Sequence, residues 1–323
     1  MTIVHRGRER RERVIPVLGS LVLIASLVLG HGWSGAAAGQ RLATWTQIVP
    51  PPGVGVVSGI ECYTSTECFS GNSTSGNNGS ASLGFWNGST LTATGPTNPV
   101  IPNYASGDLM TFANAISCPS RTTCLAVGGL AAPVASSLHD GFWSDFLPLV
   151  GVLGQQMIPD ALACLTRNDC WAVGGEPGGK YQNRHPTVIH YDGESWSAVQ
   201  SPQQHHASDQ GALTSIACPA KNSCWAAGEY TSLHFTSHGI LEHWNGSKWL
   251  LVAGSQTIYP YGIACDSPEA CTEVGTVGQR IAAIQIHGSS LQPVRLPARR
   301  GILLSVCYLS QLRRVGRLPL EMI

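Results

Sequence analysis

Ten of the eleven cysteines in this chain of 323 residues fall into five pairs of one spacing, Cys-x5-Cys: Cys62/Cys68, Cys118/Cys124, Cys164/Cys170, Cys218/Cys224 and Cys265/Cys271. Thiols at a fixed spacing can hold zinc, exchange electrons or close a disulfide. Zinc sites use Cys-x2–4-Cys knuckles combined in fours, and redox pairs use Cys-x-x-Cys beside a basic or cationic partner; neither pattern occurs. In an exported chain the pairs therefore read as disulfides. Each closes a ring of about seven residues, for which the chain-entropy treatment gives about 2.4 kcal/mol of stabilisation. Cys307 is left over.

A second group is rich in histidine. His185, His205, His206, His234 and His238 occur with Tyr230 and Phe235 in neighbouring variable stretches. Such a set suits a metal or a ring-stacked ligand; the plainer alternative is solvated loop histidines. No His-Glu-x-x-His spacing marks a metal, so these seven are candidate ligand-binding residues with no metal and no cofactor expected. Asp108, Asp160, Glu176, Asp209 and Glu229 are candidates for a glycosidase carboxylate pair, a mechanism that turns on a separation invisible in sequence; the alternative is that they keep the surface soluble. With no nucleophile elbow, phosphate loop or Ca2+ loop present, no catalytic residue is assigned.

The elements that carry these residues repeat. Successive first cysteines lie 56, 46, 54 and 47 residues apart, the size of a propeller blade or a pair of long helices. An apolar residue stands two positions before each: Ile60, Ile116, Leu162, Ile216 and Ile263. A short run such as Leu125-Ala126-Val127-Gly128-Gly129 follows each second cysteine, and later an Asp-Gly or Asn-Gly lies between apolar runs, as at Asp192-Gly193 and Asn245-Gly246. That dipeptide is the strongest short hairpin signal, through a type I′ turn with positive φ at both central residues. Each repeat thus holds four strands, A to D. Long amphipathic helices are nearly absent, and only 12% of residues are charged. The expected fold is all-β: a propeller of about six four-stranded blades, the last incomplete or degenerate, preceded by an N-terminal hydrophobic helix.

The double glycines at 128–129 and 174–175, with Tyr191 and Trp196 around a turn, resemble the kelch motif. The Cys-x5-Cys-x-Ala-Val-Gly form resembles secreted bacterial propeller repeats, over about residues 42–290. Asp192-Gly193-Glu194-Ser195-Trp196 is also similar to the Asp-box repeat of sialidases. Kinship of this kind implies a propeller without specifying an activity.

Residues 6–13 carry five arginines, residues 14–30 are almost wholly apolar, and Ala36-Ala37-Ala38 follows. This order predicts a signal peptide, or an uncleaved anchor, over residues 1–38. The repeat domain is placed at 39–316. Leu304, Val306, Leu312, Val315 and Gly316 fall in repeat register, with Val306 and Leu312 at the cysteine positions. Residues 317–323 form a tail, and the arginines after residue 294 admit a truncated or out-of-frame end. Thr44–Pro50 resembles a strand D that would complete the last blade.

Residues 39–290 hold eight Lys/Arg against sixteen Asp/Glu, an acidic body under a neutral total. Nucleic acid, which needs a basic surface, is excluded as a partner. The tryptophans Trp45, Trp86, Trp171, Trp196, Trp225, Trp244 and Trp249 keep repeat register and read as packing between blades. The disulfide loops and C–D turns must share one face; the B–C and D–A loops, long and variable, share the other, which is the expected binding face. The expected protein is a secreted or cell-surface monomer that binds a protein or polysaccharide, touching membrane only through its N-terminal segment. The alternative is a secreted hydrolase or lyase with its site on that variable face.

Overall fold

The structure, a computed structural model, describes residues 3–5, 46–48, 56–64, 66–73, 81–95, 113–129, 133–144, 147–149, 157–177, 184–202, 210–232, 234, 236–252, 258–278 and 280–294. They belong to two compact units, Thr2–Val49 and Pro50–Ile323. In the first, β1 (Ile3–His5) pairs antiparallel with β2 (Thr46–Ile48). The segment expected to complete the last blade thus has a different partner. The N-terminal helix and the sixth repeat, with Cys307, fall outside the described residues. Among those described there is no helix, hence none long and apolar enough to cross a membrane.

The second unit contains five antiparallel sheets, each in simple sequence order. Blade 1 is β3 (Val56–Cys62), β4 (Cys68–Ser73), β5 (Ala81–Trp86) and β6 (Leu91–Thr94). Blade 2 is β7 (Ala113–Ser120), β8 (Thr123–Gly128) and β9 (Val134–His139), with its outer strand split into β10 (Phe142–Trp143) and β11 (Leu147–Pro148). Blade 3 is β12 (Ile158–Thr166), β13 (Asp169–Pro177), β14 (Arg184–Tyr191) and β15 (Trp196–Val199). Blade 4 is β16 (Gln210–Ala220), β17 (Ser223–Thr231), β18 (Ser237–Trp244) and β19 (Trp249–Leu251). Blade 5 is β20 (Tyr259–Ser267), β21 (Ala270–Val277), β22 (Arg280–His287) and β23 (Ser290–Val294).

All five expected disulfides form: Cys62–Cys68, Cys118–Cys124, Cys164–Cys170, Cys218–Cys224 and Cys265–Cys271, with Cα atoms 3.8 to 4.1 Å apart. Each closes the A–B hairpin. The C–D turns lie against these hairpins: a Cβ added to Gly88, Gly193 or Gly246 would meet Thr66, Asn168 or Asn222 of the same blade's A–B turn. Disulfides and C–D turns therefore share one face, as expected.

The turn chemistry differs from the expectation. Asn87, Asp192 and Asn245 do not take positive φ; only the glycine after each does. Their side-chain oxygens instead accept the backbone N–H groups two and three residues on, at 2.8 to 3.0 Å. An Asx-capped turn closes these hairpins, because Asn and Asp can mimic a backbone acceptor. Positive φ at both residues occurs at Asp140-Gly141.

The core lies between blades. Strand alternation sends one side chain toward the preceding blade and the next toward the following one. Ile116 packs with Phe69 and Leu83 of blade 1, Leu162 with Ala115 and Val127 of blade 2, Ile216 with Trp171 and Val188 of blade 3, and Ile263 with Trp225 and Leu241 of blade 4. The tryptophans do the expected work: Trp171 of blade 3 lies 4.8 Å from Trp244 and 5.6 Å from Trp249 of blade 4, ring centre to ring centre. Trp45 falls outside the described residues.

Adjacent disulfide turns are latched together. Tyr63 donates to the Ser120 carbonyl at 2.6 Å, and Arg121 pairs with Glu67 at 2.6 Å. Trp225 Nε1 and Ser223 Oγ donate to the Pro268 carbonyl at 3.0 and 2.9 Å.

Candidate functional site

The inner strands of all five blades line one cavity of about 390 Å³. Each inner strand carries a β-bulge at the same place, four residues before its first cysteine. The extra residues are Ser58, Asn114, Asp160, Thr214 and Tyr261. All five line the cavity. A bulge breaks the alternation locally and re-aims one side chain, so each blade gives the cavity one residue that strand geometry alone would send into a neighbouring blade.

This ring is polar and varied: two hydroxyls, an amide, a carboxylate and a phenol. Asn114 Nδ2 donates to the Pro159 carbonyl of the next blade at 2.9 Å, and Tyr261, half exposed, lies 3.4 Å from Thr276 Oγ1. Other inner-strand hydroxyls stitch blades together: Ser117 Oγ accepts the Cys164 N–H at 3.0 Å and Ser215 Oγ the Ile263 N–H at 2.9 Å. The charged side chains lining the cavity are Glu61 and Asp160, both acidic. The cavity thus offers hydrogen-bonding groups, an aromatic ring and negative charge.

The disulfides belong to the core: Cys118 and Cys265, on inner strands that border the cavity, are as buried as their partners Cys124 and Cys271 and share their seam clusters. Cys62, Cys118, Cys164, Cys218 and Cys265, on the inner strands, line the cavity. Their partners Cys68, Cys124, Cys170, Cys224 and Cys271 stand one strand further out; they are buried and do not line it. Oxidised and packed in the seams, they can only staple the hairpin, which is the structural role their spacing implies.

The histidine set is brought together only in part. Tyr230 and His238 are cross-strand partners whose rings stack at 4.9 Å, on the side of blade 4 that faces blade 3. His185, the second residue of β14, lies on the opposite side of the blade 3 sheet, the side on which Ile189 meets blade 2. His234 is exposed in the β17–β18 turn. His205, His206 and Phe235 fall outside the described residues. Of the acidic residues, Asp160 is the bulge residue of blade 3, Glu229 is exposed on β17 and Glu176 lies on β13; Asp108 and Asp209 fall outside the described residues. Among the described residues no cluster of three His, Cys, Asp or Glu could hold a metal ion.

Two constellations on the disulfide face carry no sequence signal. His190 pairs with Asp169 at 2.8 Å and packs on Trp171, ring centres 4.3 Å apart. His243 stacks on Trp225 at 4.1 Å, with Nε2 3.1 Å from Ser223 Oγ. The Ser223–His243 pair has the distance of a catalytic dyad, but the Ser223 hydroxyl proton already serves the Pro268 carbonyl. The imidazole must then donate to Ser223, the reverse of general-base catalysis. Burial lowers the pKa of His243. Both groups fasten turns.

Two carboxyls are buried between blades. Glu242 of β18 faces blade 3; burial raises its pKa to about 7, against the opposing effect of Ser201, and Oε2 has no partner. Glu273 of β21 faces blade 4; burial raises its pKa to about 8, and neither oxygen has a partner.

Repeated four-stranded sheets around a central cavity, each stapled at its innermost hairpin, define a disulfide-stapled β-propeller. No protein-family model matches the chain, and no curated protein matches it. Among solved structures it is similar to YCF48 bound to a D1 peptide, at 16% identity over 76% of this chain and 69% of that one, TM-score 0.46. It is similar also to the WD40 β-propeller domain of Doa1, at 13% identity over 75% and 68%, TM-score 0.46. A third is an α-L-arabinanase of Penicillium chrysogenum solved with arabinobiose, at 10% identity over 76% and 83%, TM-score 0.48. Likeness at this level says nothing of what the chain binds.

Proposed function

We propose that this protein is an exported, kelch-like binding propeller that takes a neutral, hydroxyl-rich glycan chain into its central cavity. The observation that carries the proposal is the ring of bulge residues Ser58, Asn114, Asp160, Thr214 and Tyr261 around that cavity. Hydroxyl, amide and carboxylate groups match the paired donor and acceptor character of sugar hydroxyls, and Tyr261 offers a face for a sugar ring. The two acidic residues disfavour anionic ligands. Residues 1–38 direct export, and five disulfides suit an oxidising compartment. His234, exposed in the β17–β18 turn, supplies a rim contact on the variable face.

A hydrolase or lyase is the second reading, because Glu61 and Asp160 both line the cavity and such enzymes use two carboxyl groups. One experiment addresses both. The oxidised, exported protein is screened on a glycan array, and hits are titrated by calorimetry with Asp160→Asn and Tyr261→Ala alongside. Binding lost at least tenfold in both variants, with the glycan intact by mass spectrometry, supports the binding module. Cleavage abolished by Asp160→Asn supports the enzyme. Glycan binding untouched by either substitution removes the cavity from consideration.

A further inference from the structure

Three of the ring residues around the cavity, Ser58, Thr214 and Tyr261, carry a hydroxyl, which both donates and accepts. The arc contributed by the neighbouring blades 2 and 3 is different. There Asn114 Nδ2 donates to the Pro159 carbonyl at 2.9 Å, across the seam between the two blades. A carbonyl only accepts, so the NH2 group must face it and the sense of the amide is fixed. Asn114 Oδ1 is left at the cavity wall with no partner among the described residues. The next side chain round the ring is Asp160, immediately after Pro159 in the chain. The Asn114 amide and the Asp160 carboxyl thus flank one peptide group, and an ionised carboxylate likewise only accepts.

This arc is stiff. Proline fixes φ at position 159. Opposite it, a Cβ added to Gly174 would strike the Ile158 carbonyl and the Pro159 Cα, so the backbone under the bulge has no room to shift. Both ring side chains are half-buried. Glu61, the other carboxyl of the cavity, stands in another tier: three residues past Ser58 on β3, about 10 Å along the strand from the ring.

We propose that Asn114 and Asp160 together recognise a vicinal diol, two adjacent hydroxyls of one sugar ring, one donating to Asn114 Oδ1 and the other to the Asp160 carboxylate. The inference rests on the glycan-binding reading above and narrows it. Two fixed acceptors side by side call for two donors side by side, and adjacent sugar hydroxyls supply them. The bond to Pro159 keeps the arc selective, because an amide free to turn would offer its NH2 group to any acceptor. A sugar with one of the two hydroxyls blocked, by a linkage or a methyl group, leaves an acceptor unpaired in a half-buried site.

The test pairs two sets of oligosaccharides built from glucose, galactose or mannose. In the 1,4-linked set the inner residues keep two adjacent free hydroxyls; in the 1,3-linked set they keep none. The 1,3-linked chains are treated with periodate and then borohydride, which removes their terminal diols and spares the inner residues. The exported, oxidised chain is titrated with both sets by calorimetry, alongside Asn114→Leu and Asp160→Asn, each first shown to unfold cooperatively. Asp160→Asn preserves size and carries the test if Asn114→Leu fails to fold. The diol-bearing set is expected to bind at least about tenfold more tightly, as befits one hydrogen bond to a charged group, and the ratio to fall toward one in either variant. Equal binding of the two sets by the wild-type chain would overturn the diol inference and leave the glycan reading standing. A preference that survives in both variants would take the diol away from Asn114 and Asp160. Binding of neither set would remove the glycan reading, and this inference with it.

Discussion

Ser201 Oγ donates a hydrogen bond of 2.7 Å to Glu242 Oε1 from the chain leaving the outer strand of blade 3. The bond crosses a seam that is otherwise apolar and partly satisfies a carboxyl that burial has pushed toward neutrality. One blade further on, Glu273 faces a similar seam with no such partner. Ala226, Ala172 and Ala126 occupy the equivalent position in blades 4, 3 and 2.

Stability should fall as pH rises. Both carboxyls titrate above their ordinary value of 4.5, because the folded protein favours the protonated form. Their contribution is complete below that value and is lost as pH rises through about 7 for Glu242 and about 8 for Glu273. Urea midpoints measured from about pH 5 to about pH 9 are expected to decline, and Glu273→Gln to flatten the upper part of the decline. An equal slope in that variant would place the titration elsewhere.

Gly228→Ala should be strongly destabilising despite adding one methyl group. The new Cβ would meet the Ala212 carbonyl and the Leu213 backbone, which cannot swing aside as a flexible side chain would. Overpacking costs about 1–3 kcal/mol and more against rigid backbone. A urea-midpoint change corresponding to less than about 0.5 kcal/mol would contradict that close approach.

Trp171→Ala should loosen the seam between blades 3 and 4. Its ring contacts Trp244, Trp249 and His190 together. Truncating a buried aromatic of this kind costs about 3–5 kcal/mol. Trp244→Ala, at a half-buried position, should cost less in the same denaturation series.

Removing one staple, as in Cys164→Ser/Cys170→Ser, should lower stability by about 2.4 kcal/mol in the chain-entropy treatment. The equivalent double substitution in blade 5, Cys265→Ser/Cys271→Ser, should cost a similar amount, since its ring has the same length. Reduction of the wild-type chain should lower the melting temperature well beyond either, as scanning calorimetry with and without reductant would show.

Much of the architecture was legible because it is periodic. The cysteine spacing marked each A–B hairpin, and the Asp/Asn-Gly dipeptides located the C–D turns. At Asn87, Asp192 and Asn245 the dipeptide indicated the right hairpin through the wrong turn, since Asn and Asp side chains can cap backbone N–H groups without entering the left-handed region; Asp140-Gly141 took the expected conformation. Tryptophans in register announced seams between blades, because a large aromatic recurring at one strand position needs a neighbouring sheet to bury it.

The candidate site was legible only in fragments. Asp160 stood out as an acidic residue near the variable face, yet nothing linked it to Ser58, Asn114, Thr214 and Tyr261, which share no residue type. What joins them is a one-residue bulge, a backbone event that leaves no compositional trace. Glu242 and Glu273 carried no signal of their own in the sequence, and only strand pairing turns them inward; His185 read as a neighbour of His238 until the blade 3 sheet came between them. Local spacing is written in the chain and carries repeat, staple and turn. Which way a side chain points depends on register and on the blade packed against it, and that is settled only when all the blades fold together.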